Sequence, residues 1–264
     1  MIKIINKKYY SQIFLINNKY NIKILNILKK IYNKENKNYC VLEIGSGLGN
    51  LSKEIIKNYK NFYLVEIDKN LVNILKNKFN SYKNNIINKN ILNIKLNKLK
   101  YKKYYIIGNL PYNISSKIIL WIIKYKKYIN NCILLLQKEF VNSLISKINN
   151  KKRTKLSIIL QYFFRIKKIL NIKNINFKPI PKVNSTLILL INKNKKNINN
   201  INYKKLFFII KEAFKYKRKI LKNSLKNILI NNTNDKIFLK RPEQLSIKEY
   251  IKIYNIIYEN NNNK

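Results

Sequence analysis

Only four glycines occur in 264 residues, and three of them, Gly45, Gly47 and Gly49, share one short turn. The fourth, Gly108, stands directly before Asn109-Leu110-Pro111-Tyr112. The chain is rich in Lys, Asn, Ile and Tyr and poor in Gly, Pro, Ala and Arg, the pattern that strongly A+T-biased coding produces. Against that bias, a glycine marks a place where the backbone needs what only glycine provides: a sharp turn or close approach to another group. The four prolines are equally sparse, at Pro111, Pro179, Pro181 and Pro242. Nearly all the backbone punctuation thus serves three short segments.

The hydrophobic pattern around these segments alternates between strand and helix. Apolar runs at 39–44, 62–67, 85–92, 104–107, 132–137, 158–164 and 185–191 are expected to be strands. Periodic stretches at 19–32, 51–58, 71–79, 115–124 and 139–148 are expected to be helices. Strands alternating with helices imply an α/β domain with a largely parallel sheet. Residues 1–36 begin with a basic lead, and residues 192–202 are almost all Asn and Lys, a linker or surface loop. Beyond them Phe207, Ile210, Phe214, Leu221, Leu225 and Ile228 recur at helical spacing, with Lys211, Lys215, Lys217, Arg218, Lys219, Lys222 and Lys226 on the other face. Ser246 and Glu249 form a capping box that opens a last helix, ending near Tyr258. The expected division is therefore a domain at 1–192 and a small helical one at 193–264, with an Asn-rich tail at 260–264.

With 56 Lys and Arg against 11 Asp and Glu, the net charge is +45. Such a surface attracts nucleic acid by releasing the counterions of its phosphates, although coding bias contributes to the excess. Cys40 and Cys132 lie in separate apolar runs, as buried thiols of a reducing compartment do. The absence of His removes imidazole base catalysis and His-ligated zinc, and no metal is expected. No apolar run reaches the roughly 18 residues of a membrane span. The expectation is a soluble monomer that engages no membrane, in the cytoplasm of a bacterium or in an organelle matrix.

The turn Glu43-Ile44-Gly45-Ser46-Gly47-Leu48-Gly49 links a strand to a helix, and Glu66 ends the next strand. A carboxylate there can accept hydrogen bonds from the two ribose hydroxyls of an adenosine-containing ligand. The arrangement suits either a nicotinamide dinucleotide or S-adenosylmethionine. Its G-x-G-x-G spacing departs from the dinucleotide G-x-G-x-x-G, and Glu43 suits the methyltransferase type. At the same edge, Asn109-Leu110-Pro111-Tyr112 combines an amide, a rigid turn and an aromatic ring, a set fitted to a flat base bearing an amino group. The Asn109 side-chain oxygen and the Leu110 carbonyl can accept from that amine, and Tyr112 can stack on the ring. Methyl transfer to a neutral amine needs alignment more than acid–base help.

Together these segments resemble the ribosomal RNA adenine dimethyltransferase family. The resemblance runs nearly end to end. It includes Ser11-Gln12-Ile13-Phe14-Leu15, Leu136-Gln137-Lys138-Glu139 and the loop from Phe177 through Pro179, Pro181 and Val183 to Ser185. It continues through Arg218-Lys219-Ile220-Leu221-Lys222-Asn223-Ser224-Leu225 and Arg241-Pro242-Glu243-Gln244-Leu245-Ser246. The resemblance implies a Rossmann-like class I methyltransferase domain with a small α-helical C-terminal domain. It implies S-adenosylmethionine as cofactor and dimethylation of two adjacent adenosines in a hairpin of small-subunit rRNA within the assembling subunit. By carry-over, Leu15, Gly45, Gly47, Glu66, Asn90 and Asn109 line the cofactor site. Asn109, Leu110, Pro111 and Tyr112 hold the adenine, and Phe177 closes on its other face.

The sequence also departs from the family pattern. Ile13 replaces an Asn or His, and Asn90 replaces an Asp, so weaker cofactor binding than is usual for the family is expected. Ser11 replaces a Gly, and the segment Lys152-Arg153-Thr154-Lys155-Leu156-Ser157 lacks the Gly expected before Arg. Three other readings remain in contention: a related large-subunit adenine dimethyltransferase, a non-catalytic ribosome-assembly factor and a nicotinamide oxidoreductase.

Overall fold

The computed structural model describes residues 12–32, 38–193, 201–229 and 235–258. Ser11 and the basic lead before it, most of the Asn- and Lys-rich stretch at 192–202, and the tail at 260–264 lie outside these residues.

The chain forms two compact units, one of residues 1–141 and 164–192, the other of 142–163 and 193–264. The segment 142–163 thus groups with the C-terminal residues, on the far side of the division the sequence places at 192. In the first unit a short strand β1 (Phe14–Leu15) precedes α1 (Asn18–Ile31), β2 (Tyr39–Ile44), α2 (Ser52–Asn58), β3 (Phe62–Glu66), α3 (Lys69–Lys78) and β4 (Ile86–Asn88). Then come β5 (Lys103–Asn109), α4 (Ser115–Lys124) and β6 (Ile129–Gln137), followed by α5 (Lys138–Leu144), which crosses the unit boundary. Returning to the first unit after the 142–163 segment, the chain adds β7 (Phe164–Ile172), β8 (Phe177–Lys178) and β9 (Ser185–Asn192).

Seven strands make one sheet in the order β4-β3-β2-β5-β6-β9-β7, while β1 and β8 pair by themselves. The five strands from β4 to β6 run parallel, and β9 pairs antiparallel with both β6 and β7. β2 (Tyr-Cys-Val-Leu-Glu-Ile) is buried from Cys40 onward, as a strand covered on both faces must be. Cys40 and Cys132 are both buried and free. Asparagine and aspartate start α1 and α3: the Asn17 side chain accepts from Lys19 N–H, and that of Asp68 from Asn70 N–H.

Two expected strands differ. Residues 155–163 form a helix, α6 (Lys155–Phe163), and the strand begins only at Phe164. The cause lies just upstream. Thr154 Oγ1 accepts from Ser157 N–H at 3.2 Å, and Ser157 Oγ accepts from Thr154 N–H at 3.0 Å. This reciprocal cap starts a helix that the apolar run alone cannot distinguish from a strand. The strand expected at 85–92 is confined to Ile86–Asn88, because Asn90 caps a 3-10 turn over Ile91–Asn93.

In the second unit α6 is joined by α7 (Tyr203–Ala213), α8 (Leu221–Ser224) and α9 (Ile247–Tyr258). Phe163 packs edge-on against Phe207, with ring centroids 5.8 Å apart. The expected capping box is present: Ser246 N–H donates to Glu249 Oε2 at 2.7 Å, and Glu249 N–H donates to Ser246 Oγ at 3.1 Å. The Arg-Pro-Glu-Gln segment is scaffolding. Pro242 O accepts from the Tyr250 hydroxyl at 2.8 Å, and Glu243 O accepts from Asn149 N–H at 3.2 Å.

Gly108 has a packing role of its own. A Cβ there would lie 2.5 Å from the Ile44 carbonyl oxygen on the neighbouring strand β2. Backbone cannot yield as a side-chain tip can, so Gly108→Ala is expected to destabilise the protein by about 1–3 kcal/mol. A urea unfolding midpoint equal to wild type would refute this.

Candidate active site

The cleft lies where the parallel strands end. The chain lays β2, β3 and β4 outward in one direction, then returns to place β5 on the other side of β2. At such a reversal the loops leaving the two central strands diverge and open a crevice at their carboxyl ends. Four strand ends supply its wall: the Gly45 turn after β2, Glu66 and Ile67 at β3, Asn90 beyond β4, and Asn109 to Tyr112 at β5. β1 contributes Phe14 and Leu15.

The three turn glycines have φ of +71°, +54° and +77°. These left-handed values favour glycine, and at Gly47 a Cβ would also meet the Phe14 ring at 2.9 Å. The turn is tied to β3 by Gly45 N–H donating to Val65 O at 2.8 Å. It is tied to Glu66 as well, whose Oε2 accepts from Gly47 N–H at 3.0 Å. Glu66 Oε1 accepts from Ile67 N–H at 2.8 Å and from Asp68 N–H at 3.0 Å. Burial pushes the Glu66 carboxyl above its ordinary range, and these three amides offset that rise only in part. The carboxylate is therefore oriented before any ligand arrives. Directly after it Ile67 keeps 39% of its surface exposed within the cleft wall, an apolar face for a flat ring.

Asn109 is held by its amide nitrogen, which donates to the Ile13 main-chain carbonyl at 2.7 Å. That leaves the side-chain oxygen as an acceptor. Tyr112 is half-buried, and its hydroxyl shares a 2.7 Å hydrogen bond with Ser185 Oγ at the start of β9. Burial raises the Tyr112 hydroxyl above its ordinary pKa, so it stays neutral at physiological pH. Asn90 lines the cleft, with its oxygen accepting from Leu92 N–H at 3.0 Å.

The structure thus gathers Leu15, Gly45, Gly47, Glu66, Asn90, Asn109, Leu110, Pro111 and Tyr112 around one cleft. Phe177 stands apart. It is 1% exposed, opposite Leu15 in the β1–β8 pair, and belongs to the hydrophobic core. An apolar ring on a short strand against the core is drawn inward by burial. Ser185 and the Ile13 carbonyl are new members of the site. Ser185 ends the proline loop and could be suspected from that motif, whereas a main-chain carbonyl leaves no mark in sequence.

Glu43, 3% exposed, accepts from Ser52 Oγ at 2.5 Å. Burial pushes its carboxyl up to about 8, only partly offset by the Ser52 hydroxyl, and the nearby Glu66 adds to the rise. With the folded pKa raised, the folded state holds a proton that the unfolded chain releases at lower pH. Stability therefore falls as pH rises from the ordinary carboxylate range to about 8. Glu43→Gln, neutral at every pH, is expected to flatten the decline in melting temperature between about pH 5 and pH 9. Identical declines for the two proteins would show that Glu43 is ionised throughout.

The chain is similar to known proteins along nearly its whole length. The sequence pattern of the ribosomal RNA adenine dimethylase family matches residues 4–260. The ribosomal RNA small subunit methyltransferase A of Buchnera aphidicola subsp. Acyrthosiphon pisum is 38% identical over 262 residues, covering 97% of this chain and 94% of that protein. Its namesake in Mycoplasma capricolum is 36% identical over 271 residues, covering 97% and 98%. Among solved structures, a dimethyladenosine transferase from Plasmodium falciparum shares the fold with a TM-score of 0.77 at 23% identity, covering 94% of this chain and 98% of that one. The 23S rRNA methyltransferase ErmE does so with a TM-score of 0.62 at 20% identity, covering 92% and 99%. The chain belongs to the ribosomal RNA adenine dimethylase family.

Proposed function

We propose that this chain transfers methyl groups from S-adenosylmethionine to the N6 amines of two adjacent adenosines in a 3′-terminal hairpin of small-subunit rRNA, acting as a monomer on the assembling subunit. The observation that carries this reading is the Asn109 amide, fixed through its nitrogen so that its oxygen is the group offered to a ligand. An exocyclic amine donating to that oxygen and to the Leu110 carbonyl is drawn from planar toward tetrahedral, which frees its lone pair. Tyr112, tethered by Ser185, stacks on the same base. The amine's surplus proton leaves to solvent after transfer, so no side-chain base is needed. The family names of the curated relatives favour the small subunit over the large.

The residues suit the cofactor. Left-handed glycines would let the backbone approach it, Glu66 would offer an oriented carboxylate to its ribose, and Ile67 would offer an apolar face to its adenine. Leu15 and Asn90 complete the wall, Asn90 with its oxygen shared with the Leu92 amide. When bound, S-adenosylmethionine supplies an electrophilic methyl group. In the second unit Lys215, Arg218 and Lys222 are exposed on one basic segment, suited to phosphate binding.

Small and large ribosomal subunits lacking the modification, incubated with labelled S-adenosylmethionine, test the reading. Label is expected in the small subunit, with primer-extension stops at two adjacent adenosines. Label confined to the large subunit, or none, would overturn the proposal. Asn109→Ala should lower kcat on the order of 10²-fold, as removal of one positioned hydrogen-bonding group does. Reversing the charges of Lys215, Arg218 and Lys222 should weaken subunit binding. It should also flatten the log–log salt dependence by about 0.7–0.9 for each phosphate no longer neutralised. Unchanged binding at low and high salt would exclude that face.

A further inference from the structure

The loop between β7 and β9 carries large apolar side chains in the open. Ile175 is 64% exposed and Ile180 65%, with Val183 at 39% and, on the adjoining turn after β1, Ile16 at 54%. Scattered exposed isoleucines are ordinary, most of all in a chain this rich in them. These four differ because the loop that bears three of them, and the turn that bears Ile16, are braced against each other. Asn174 donates its amide to Pro181 O at 3.0 Å, while its own N–H donates to Asn184 Oδ1 at 3.0 Å. Asn17 donates to Asn176 Oδ1 at 2.8 Å, and Ile16 N–H to Asn176 O at 3.0 Å. Side chains on a pre-ordered loop can bind a partner with little further ordering cost.

The loop adjoins the cleft on two sides. Its β8 residues Phe177 and Lys178 pair with Leu15 and Phe14, both in the cleft wall. Its far end is Ser185, which holds Tyr112. Interleaved with the isoleucines are the exposed cations Lys173, Lys178 and Lys182. Apolar faces between cations, continuous with a base-binding cleft, match the chemistry of an unstacked nucleic-acid strand.

We infer that the loop 173–184 is an apolar platform for the nucleotides flanking the target adenosine, with Ile175 and Ile180 against their bases and Lys173, Lys178 and Lys182 on their phosphates. A base placed in the cleft leaves its neighbours unstacked, and apolar side chains are a common substitute for the missing stacking. The inference rests on the rRNA reading above and adds a second point of attachment to it.

The test uses the full-length protein on small subunits lacking the modification. Ile175→Asn/Ile180→Asn removes the apolar faces at exposed positions, and an unchanged melting temperature verifies the fold. KM is expected to rise roughly tenfold. The salt slope is expected to stay at the wild-type value, because no charge is removed, and Ile180→Leu should keep the wild-type KM. Lys178→Glu/Lys182→Glu should instead reduce the salt slope. Wild-type KM in the Asn double variant would overturn the platform. So would a wild-type dimer in sedimentation that the double variant dissolves, since the face would then be covered by a second copy. A wild-type protein that labels no small subunit would overturn the functional reading itself, an outcome distinct from either.

Discussion

The site depends on how closely β5 lies against β2. Residue 108 has no room for a Cβ because the Ile44 carbonyl occupies that space. The same closeness brings the two loops that follow these strands together. A Cβ on Gly45 would be 3.7 Å from the Asn109 carbonyl oxygen, so the glycine turn and the Asn109–Tyr112 segment form one wall. Strand order supplies the opening, and strand spacing sets the distance across it. Loosening the β2–β5 pair would therefore disturb both halves of the cleft wall at once.

Much of this was legible in sequence because coding bias made the exceptions conspicuous. The glycine turn, Glu66 and Asn109 to Tyr112 come together as their positions at strand ends require. Four features escaped the sequence, each for its own physical reason. Residues 158–164 are apolar enough for either strand or helix, and the deciding signal was the short cap between Thr154 and Ser157. Phe177 carries a motif but not the expected exposure, since pairing with Leu15 draws it into the core. The Ile13 carbonyl has no side-chain signature at all. The grouping of 142–163 with the C-terminal unit depends on contacts between distant segments, which a local reading does not reach.

Asparagine carries much of the local structure in this composition. It caps α1 through Asn17, the turn after β4 through Asn90, and α7 through Asn202. It also braces the loop beside the cleft through Asn174 and Asn176. A short amide can both donate and accept, so it can cap a helix or pin a loop without adding charge. Near the cleft these neutral amides work beside two buried carboxylates, Glu66 and Asp68, which hold the glycine turn and cap α3.

The hydrogen bond from Asn109 to residue 13 has a further consequence for how such a site survives mutation. Its acceptor belongs to the main chain, and every residue type carries that atom. Drift in the base composition of a gene rewrites side chains wholesale, yet it cannot delete a peptide carbonyl. Position 13 is isoleucine here, and its main-chain carbonyl still fixes the Asn109 amide. Anchoring a side-chain amide on backbone makes its orientation independent of which residue type stands at the anchoring position, a form of robustness suited to a chain of such biased composition.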